Sequence, residues 1–409
     1  MKCRHCGANL YLPFIDLGTA PPSNSYLAED DLRHPEKWYP LRVFVCTQCW
    51  LVQTEDYVGA NEIFSSDYAY FSSYSDTWLA HAFSYVNKVI NSFHLGKQSF
   101  VIEIAANDGY LLQYVKERGI PCLGIEPTHS TAAAARAKGI DIIEEFFGTT
   151  LAKKLNSKGI QADLVIANNV LAHVPDINDF VTGFSLILKP EGVATFEFPH
   201  LLCLVEEAQF DTIYHEHYSY LSLTAVQRIF EANGLSIFDV EELSTHGGSL
   251  RVYSERKDSA LRKKSPAVEI LLKREKEAGI ETKEFYLTFQ TRAERIKDDL
   301  LIFLIDAKRK GKKVCAYGAA AKGNTLLNFA GIKPDLISLV ADKNPAKQGK
   351  YLPGSHIPIV APERIAHEKP DYILILPWNL KEEITRDLAF VRQWGGKFVV
   401  AVPELRILE

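Results

Sequence analysis

Four stretches of this chain carry residues whose types and spacing could do chemistry. Cys3-Arg-His-Cys6 and Cys46-Thr-Gln-Cys49 repeat one Cys-x-x-Cys knuckle. Each knuckle can turn two thiolates toward one ion, so Cys3, Cys6, Cys46 and Cys49 would complete a closed, tetrahedral Zn²⁺ site of the structural type. A redox pair or a disulfide pair is the competing reading, and neither explains the repetition. A closed site has no open position, so no catalytic role is expected of it. The second stretch, Asp211-Thr-Ile-Tyr214-His215-Glu216-His217-Tyr218-Ser-Tyr220, is too polar for a packing helix, because every buried polar tip needs a partner. A histidine next to a carboxylate is a competent general base near neutral pH, and a tyrosine can hydrogen-bond a developing oxyanion. Metal binding and a purely structural role stay open beside this. His215 and His217 would share a face only in a strand, and the His-Glu-x-x-His spacing of zinc proteases is absent.

The third stretch, Val101 to Leu112, runs from a β-type pattern through a small polar turn into an apolar-periodic segment from Tyr110 onward. Such a turn brings backbone N–H groups and a helix start to the crevice above a strand end. Glu103 stands at that strand end. A second strand, Cys122 to Ile125, ends in Glu126, where an acid suits ribose hydroxyls and repels a 2′-phosphate. The plain alternative is a strand-turn-helix without ligand. The fourth stretch, Lys313 to Thr325, repeats the arrangement around Gly318-Ala319-Ala320-Ala-Lys322-Gly323-Asn324. It is neither a P-loop nor a full Gly-x-Gly-x-x-Gly pattern, yet its small residues and lysine at a helix start suit a pyrophosphate.

The elements that must position these residues can be read in outline. Trp38 to Cys46 is a strand returning the chain to the first knuckle, and Trp78 to Ile90 is a helix. Ala162 to Asn169 is a buried strand whose polar end, Asn168 and Asn169, is followed by His173. Lys189-Pro-Glu-Gly192 is expected to close a helix with a turn and open the strand Val193 to Phe198. The tyrosine-rich Asp67 to Asp76, including Tyr68, either lines a pocket or packs between domains. Paired glycines at Gly247-Gly248 allow close backbone approach or form a simple turn. Charged residues with helical spacing from about 260 to 310 predict long connecting helices, and Leu336–Val340, Tyr372–Leu376 and Lys397–Val402 are further strands.

A length of 409 residues calls for two or three domains, and 47% hydrophobic with 24% charged residues is a globular composition. The expected division is a zinc-binding domain (1–70), a ligand-binding α/β domain (71–255), connecting helices (256–304) and a second Rossmann-like domain (305–409). A net charge of −5, without a basic tract, argues against nucleic acid as a partner. No apolar run approaches the roughly 18 residues of a membrane span, and the N-terminus lacks a signal-peptide core. The cysteine usage fits the cytoplasm. Oligomeric state stays open, with a monomer compatible with the sequence.

The ordered set of strands, with Lys189-Pro190-Glu191-Gly192, resembles the class I S-adenosylmethionine (SAM) methyltransferases. It departs from their Glu-x-Gly-x-Gly-x-Gly by placing Ala105 and Asn107 at the first two glycine positions. From the knuckles to the C-terminal strands the whole chain resembles the sugar C-methyltransferases of deoxysugar biosynthesis, notably the C-3′-methyltransferases of nucleotide-linked keto-deoxysugars. The carrying motifs are the knuckles, Glu103-Ile-Ala-Ala-Asn-Asp-Gly109, Tyr214-His-Glu-His-Tyr218 and Gly318-Ala-Ala-Ala-Lys-Gly-Asn324. That resemblance implies an α/β protein with a small zinc domain, a class I methyltransferase domain and a second Rossmann-like domain. It implies SAM on Glu103, Ala105, Asn107, Asp108, Gly109, Glu126 and Asn168, with a methyl at Ala105 tightening the pocket. It implies His217 as the base, Tyr214, Glu216, His173 and Tyr68 around the sugar, and Asn169 facing it. Tyr317 to Ala320 and Lys322 to Asn324 would hold the diphosphate, most simply of a dTDP-sugar. A zinc-ribbon RNA methyltransferase and a non-catalytic nucleotide-sugar-binding protein are the rival readings; the first should show a basic face, and the second has no use for the His-Glu-His cluster.

Overall fold

The computed structural model describes residues 1–57, 71–259 and 261–408. Tyr68 lies outside the described residues.

Strands β1 (Leu12–Ala20), β2 (Tyr39–Val45) and β3 (Val52–Thr54) form an antiparallel sheet, and its fourth strand, Ser219–Tyr220, comes from far along the chain. The middle of the chain builds a sheet from β4 (Val101–Ile104), β5 (Cys122–Ile125), β6 (Ile142–Ile143), β7 (Ala162–Asn168) and β8 (Leu188–Pro199). The strand Ser219–Tyr220, β9, leaves for the first sheet, and β10 (Leu235–Leu243) with β11 (Ser249–Arg256) completes the middle one. The order is β10-β11-β8-β7-β4-β5-β6, with β4 to β8 parallel and β11 antiparallel to both neighbours. The order reverses direction between β4 and β7, which opens a crevice at their C-terminal ends. Strand β4 is Val-Ile-Glu-Ile, buried on both faces as a central parallel strand must be.

The third sheet repeats this logic with β12 (Val314–Tyr317), β13 (Val340–Ala341), β14 (Ile359–Val360), β15 (Tyr372–Ile375), β16 (Lys397–Val400) and β17 (Arg406–Leu408). Its order is β14-β13-β12-β15-β16-β17, parallel up to the last strand, with the switch between β12 and β15. The fold class expected from the sequence is the one observed. Two local expectations are corrected. The helix Ile177–Ile187 hands over directly to β8, so Lys189-Pro-Glu-Gly192 lies inside the strand, where an irregularity between Ala162 and Leu164 absorbs it. Only the end of Leu336–Val340 becomes strand, because a turn through Lys333–Leu336 delays the ladder.

Two connecting helices, Pro266–Ala278 and Phe289–Arg309, cross the molecule as the charged, periodic segment predicts. The second buries Phe289, Ala293, Ile296, Leu300 and Leu304, and Phe14 of β1 stacks on Phe289 at 4.3 Å between ring centroids. Hydrophobic contact along this stripe makes the first sheet and the C-terminal unit one continuous core. Cys3, Cys46, Cys49 and Leu51 pack instead into the core of the middle sheet. Among the described residues no helix is long and apolar enough to cross a membrane.

Candidate active site

The turn after β4 takes the shape that the glycine pattern of the motif serves. Ala105, Asn107 and Gly109 have φ of 57°, 48° and 75°, so two side-chain-bearing residues adopt the left-handed conformation at the first two glycine positions. At the third, a Cβ on Gly109 would collide with Ile140, which is why glycine is needed there. Glu126 braces the turn by accepting the N–H groups of Asn107 and Thr128, both at 2.9 Å. Asn107 Oδ1 accepts Ser72 N–H at 2.9 Å and Asp108 Oδ2 accepts Ser73 N–H at 3.2 Å, closing the tyrosine-rich segment over the turn. Burial, and then the charges of Asp108 and Glu126, hold the Glu103 carboxyl well above its usual range.

Glu103 Oε2, Asp108 Oδ1 and Asn168 Oδ1 are buried acceptors without a protein donor among the described residues. Buried acceptors normally find donors. SAM would bring donors and positive charge: an ammonium group, ribose hydroxyls and an adenine amine. The residues therefore fit this cofactor.

The cysteine site passes a similar test. The four sulfurs lie within 4.8 Å of one another, with Cys3–Cys49 and Cys6–Cys46 at 3.5 Å. Zn–S bonds of about 2.3 Å in a tetrahedron require sulfurs about 3.8 Å apart, which this cluster matches with little movement. Among the described residues it is the one group of this kind.

The loop from Phe210 to Tyr220 lies where all three units meet. His217 is buried, and its Nδ1 donates to the Thr212 carbonyl at 2.8 Å, which makes Nε2 the basic nitrogen. Burial, reinforced by His173, holds His217 well below its ordinary range, so the imidazole is neutral at pH 7. The Tyr214 and His173 rings lie 3.9 and 4.7 Å from the His217 ring. His173 is bonded to the Glu216 main chain, and burial pushes it down to about 4. Glu216 accepts from Asn24 Nδ2 at 2.7 Å, and burial raises it to about 7. His215 turns away to the Pro40 carbonyl at 3.2 Å, so the two histidines of the motif do not converge and the metal reading loses its pair.

The remaining expected residues are split. Asn169 follows β7 at φ 54°, and its buried amide has no partner among the described residues. Gly318, at φ 89°, packs on Pro377, and Tyr317 ends β12 with its hydroxyl buried. Ala319 N–H is taken by Asp342 Oδ2 at 2.7 Å, and Ala320 precedes the helix Ala321–Phe329. The Lys322 ammonium sits 4.4 Å over the Trp378 ring and bonds Asn379 Oδ1 at 2.8 Å. Gly323 packs on Leu376, whereas Asn324 is spent on the Ser23 carbonyl at 2.6 Å. Asn324 therefore braces the N-terminal lobe, although its Oδ1 has no partner among the described residues.

Several site-forming residues carry no local signal. Trp378 Nε1 donates to Asp211 Oδ2 at 2.8 Å, and burial pushes Asp211 up to about 6. Thr325 Oγ1 donates to the Ile213 carbonyl at 2.8 Å, a second tie from the C-terminal unit to the loop. At the end of β8, the buried Glu197 accepts from His81 at 2.9 Å and Arg251 at 2.6 Å. An acid at the end of a central strand beside Asn168 is the one signal that would have found Glu197.

The sheet order, the unpartnered buried acceptors near its switch point and the four-cysteine cluster fit a SAM-dependent methyltransferase with a zinc-binding lobe. Family models agree along the length: a zinc binding domain over residues 3–64, a methyltransferase domain over 78–240 and the C-methyltransferase C-terminal domain over 244–403. The C-methyltransferase NovU of Streptomyces niveus is 33% identical over 407 residues, covering 100% of this chain and 96% of NovU. The chain belongs to this family of C-methyltransferases. Solved structures overlap in part. Magnesium protoporphyrin IX methyltransferase (ChlM) from Synechocystis PCC 6803 with bound SAM is 17% identical, covers 44% of this chain and 82% of its own, and has a TM-score of 0.34. A SAM-dependent methyltransferase from Clostridium acetobutylicum is 11% identical, covers 44% of this chain and 92% of its own, and has a TM-score of 0.36.

Proposed function

We propose that this C-methyltransferase acts on a nucleotide-linked keto-deoxysugar, most simply a dTDP-4-keto-6-deoxysugar, and methylates the carbon next to the ketone, C3 by the family resemblance. A carbanion on a sugar is accessible only where an adjacent carbonyl takes its charge. His217 Nε2 removes the proton from that carbon, Tyr214 hydrogen-bonds the sugar, and His173, Glu216 and Asn169 line its pocket. Lys322 and the turn from Tyr317 through Ala320 to Gly323 receive the diphosphate. Glu103, Asp108, Glu126 and Asn168 hold the cofactor with the turn through Ala105, Asn107 and Gly109. Bound SAM supplies an electrophilic methyl group.

The observation that carries this reading is the tautomer of His217. A buried, neutral imidazole with Nδ1–H committed to a carbonyl has the other nitrogen ready to accept a proton. The rival RNA reading has no support from charge, since acids outnumber bases by 51 to 46.

The test is mass spectrometry of the protein incubated with SAM and a dTDP-4-keto-6-deoxysugar, beside His217→Ala. A methylated nucleotide sugar is expected from the parent protein alone, with SAM binding retained by the variant, and NMR of the product distinguishes C3 from C5. Unchanged turnover by His217→Ala would sink the base assignment.

A further inference from the structure

The main chain around His217 is held from outside the methyltransferase sheet. Strand β3 pairs with β9, Val52 opposite Tyr220 and Gln53 opposite Ser219. Thr54 continues this contact past the ladder. Its N–H donates to the Tyr218 carbonyl at 3.2 Å, and its hydroxyl donates to the His217 carbonyl at 3.1 Å. One residue earlier, the buried Gln53 side chain turns to the cysteine cluster: Nε2 donates to Cys3 Sγ at 3.3 Å and Oε1 accepts the Arg4 N–H at 2.9 Å. The thiolates and the main chain of the base are thus joined through two consecutive residues. The same lobe grips the loop again where Asn24 meets Glu216 and the Pro40 carbonyl meets His215.

We propose that Thr54 is a positioning residue for proton abstraction. Through Gln53 and the Thr54 hydroxyl, the metal-binding lobe sets where His217 Nε2 stands relative to the substrate carbon. This rests on His217 being the base. Proton transfer from carbon demands near-attack geometry, and a misplacement of about 1 Å can cost about a hundredfold in rate. Removing the hydroxyl would leave a buried carbonyl without its side-chain donor and let the loop shift to find another.

The test compares the full-length zinc-loaded protein, Thr54→Val, Thr54→Ser and His217→Ala. Exchange of the substrate's acidic C–H with D2O is followed by proton NMR with S-adenosylhomocysteine bound, so that deprotonation is read without methyl transfer. Zinc content, SAM affinity and amide exchange over residues 214–220 are measured alongside. Thr54→Val is expected to slow C–H exchange about tenfold, the effect of roughly 1.4 kcal/mol in the barrier. It should loosen residues 214–220 while zinc content and SAM affinity stay unchanged, and Thr54→Ser should restore the rate. A Thr54→Val protein that exchanges at the parent rate, beside a silent His217→Ala, overturns the positioning role and leaves the base assignment standing. Loss of zinc or of fold in Thr54→Val, with a parent-like exchange rate per folded molecule, assigns Thr54 to folding and overturns it too. His217→Ala exchanging at the parent rate overturns both.

Discussion

The middle and C-terminal units share a plan, a parallel sheet with a small-residue turn at its switch point, but the two turns are finished differently. In the middle unit the turn keeps buried acceptors without protein donors among the described residues, on Glu103, Asp108 and Asn168. In the C-terminal unit the main chain of the turn is satisfied by the protein, and the buried acceptors left over among the described residues are the Tyr317 hydroxyl and Asn324 Oδ1. Asp342 takes the Ala319 N–H, and the Ala319 carbonyl accepts from Tyr26 Oη at 2.6 Å and Lys347 Nζ at 2.8 Å. What it presents instead is a cation, Lys322, seated on Trp378. Acceptors without donors suit a positively charged, hydroxyl-bearing ligand, and a half-buried ammonium suits an anionic one. The first crevice therefore suits the SAM, and the second the diphosphate, of the proposed reaction.

One substitution made in both turns separates the two roles with the largest expected effect. Gly109 and Gly318 stand at φ 75° and 89°, and a Cβ would strike Ile140 in one and Pro377 in the other. Strain and overlap together should cost about 2–4 kcal/mol at each. Gly109→Ala is expected to abolish SAM binding in calorimetry while a nucleotide sugar still binds, and Gly318→Ala to do the reverse. Loss of both ligands in either variant would show that the crevices do not act separately.

Much of this arrangement was legible in the sequence, and the boundary follows range. The knuckles, the Glu103–Gly109 turn and the Gly318–Asn324 turn declare themselves through residues a few places apart, because short spacing is set by local backbone geometry. The loop from Phe210 to Tyr220 declared its polarity but not its supports. Nothing near Thr54, Asn24 or Trp378 marks it, since their partners His217, Glu216 and Asp211 come from other units. The same holds for Glu275, in the connecting helix Pro266–Ala278. Its buried carboxylate accepts the first N–H groups of the helix Leu223–Ala232, at Leu223 and Thr224, and pairs with His200 at 2.7 Å. By sequence that helix is a solvated connector, and only tertiary contact makes one of its acids a helix cap.

The charge state of Glu103 has a smaller expected effect. Burial lifts Glu103 above its ordinary 4.5, so the folded protein holds this proton more tightly than the unfolded chain. The stability it contributes is full below about 4.5 and is lost as pH rises through the folded value. A cationic cofactor favours the ionised carboxylate, so SAM affinity should rise with pH across that window and binding should release a proton. Calorimetry in buffers of different ionisation enthalpy reads that release directly. Glu103→Gln should flatten the pH dependence and weaken SAM about ten- to hundredfold, the range for hydrogen bonds to a charged group. A variant that binds SAM with the parent's affinity and pH profile would remove Glu103 from the cofactor site.

The smallest effect tests the turn itself. Ala105 holds φ 57° where the related motif has glycine, a conformation that costs an L-residue about 1–2 kcal/mol. Ala105→Gly relieves that strain but adds about 0.5–1 kcal/mol of chain entropy to be lost on folding. The net should be a gain of a few tenths of a kcal/mol up to about 1, seen as a slightly higher melting temperature. SAM affinity separates two roles for the methyl group. If it only loads the turn with strain, affinity stays constant; if it fills space against the cofactor, affinity falls with its removal although the fold is more stable. Lower stability in Ala105→Gly would mean that the Ala105 methyl contributes more by packing than the left-handed backbone costs.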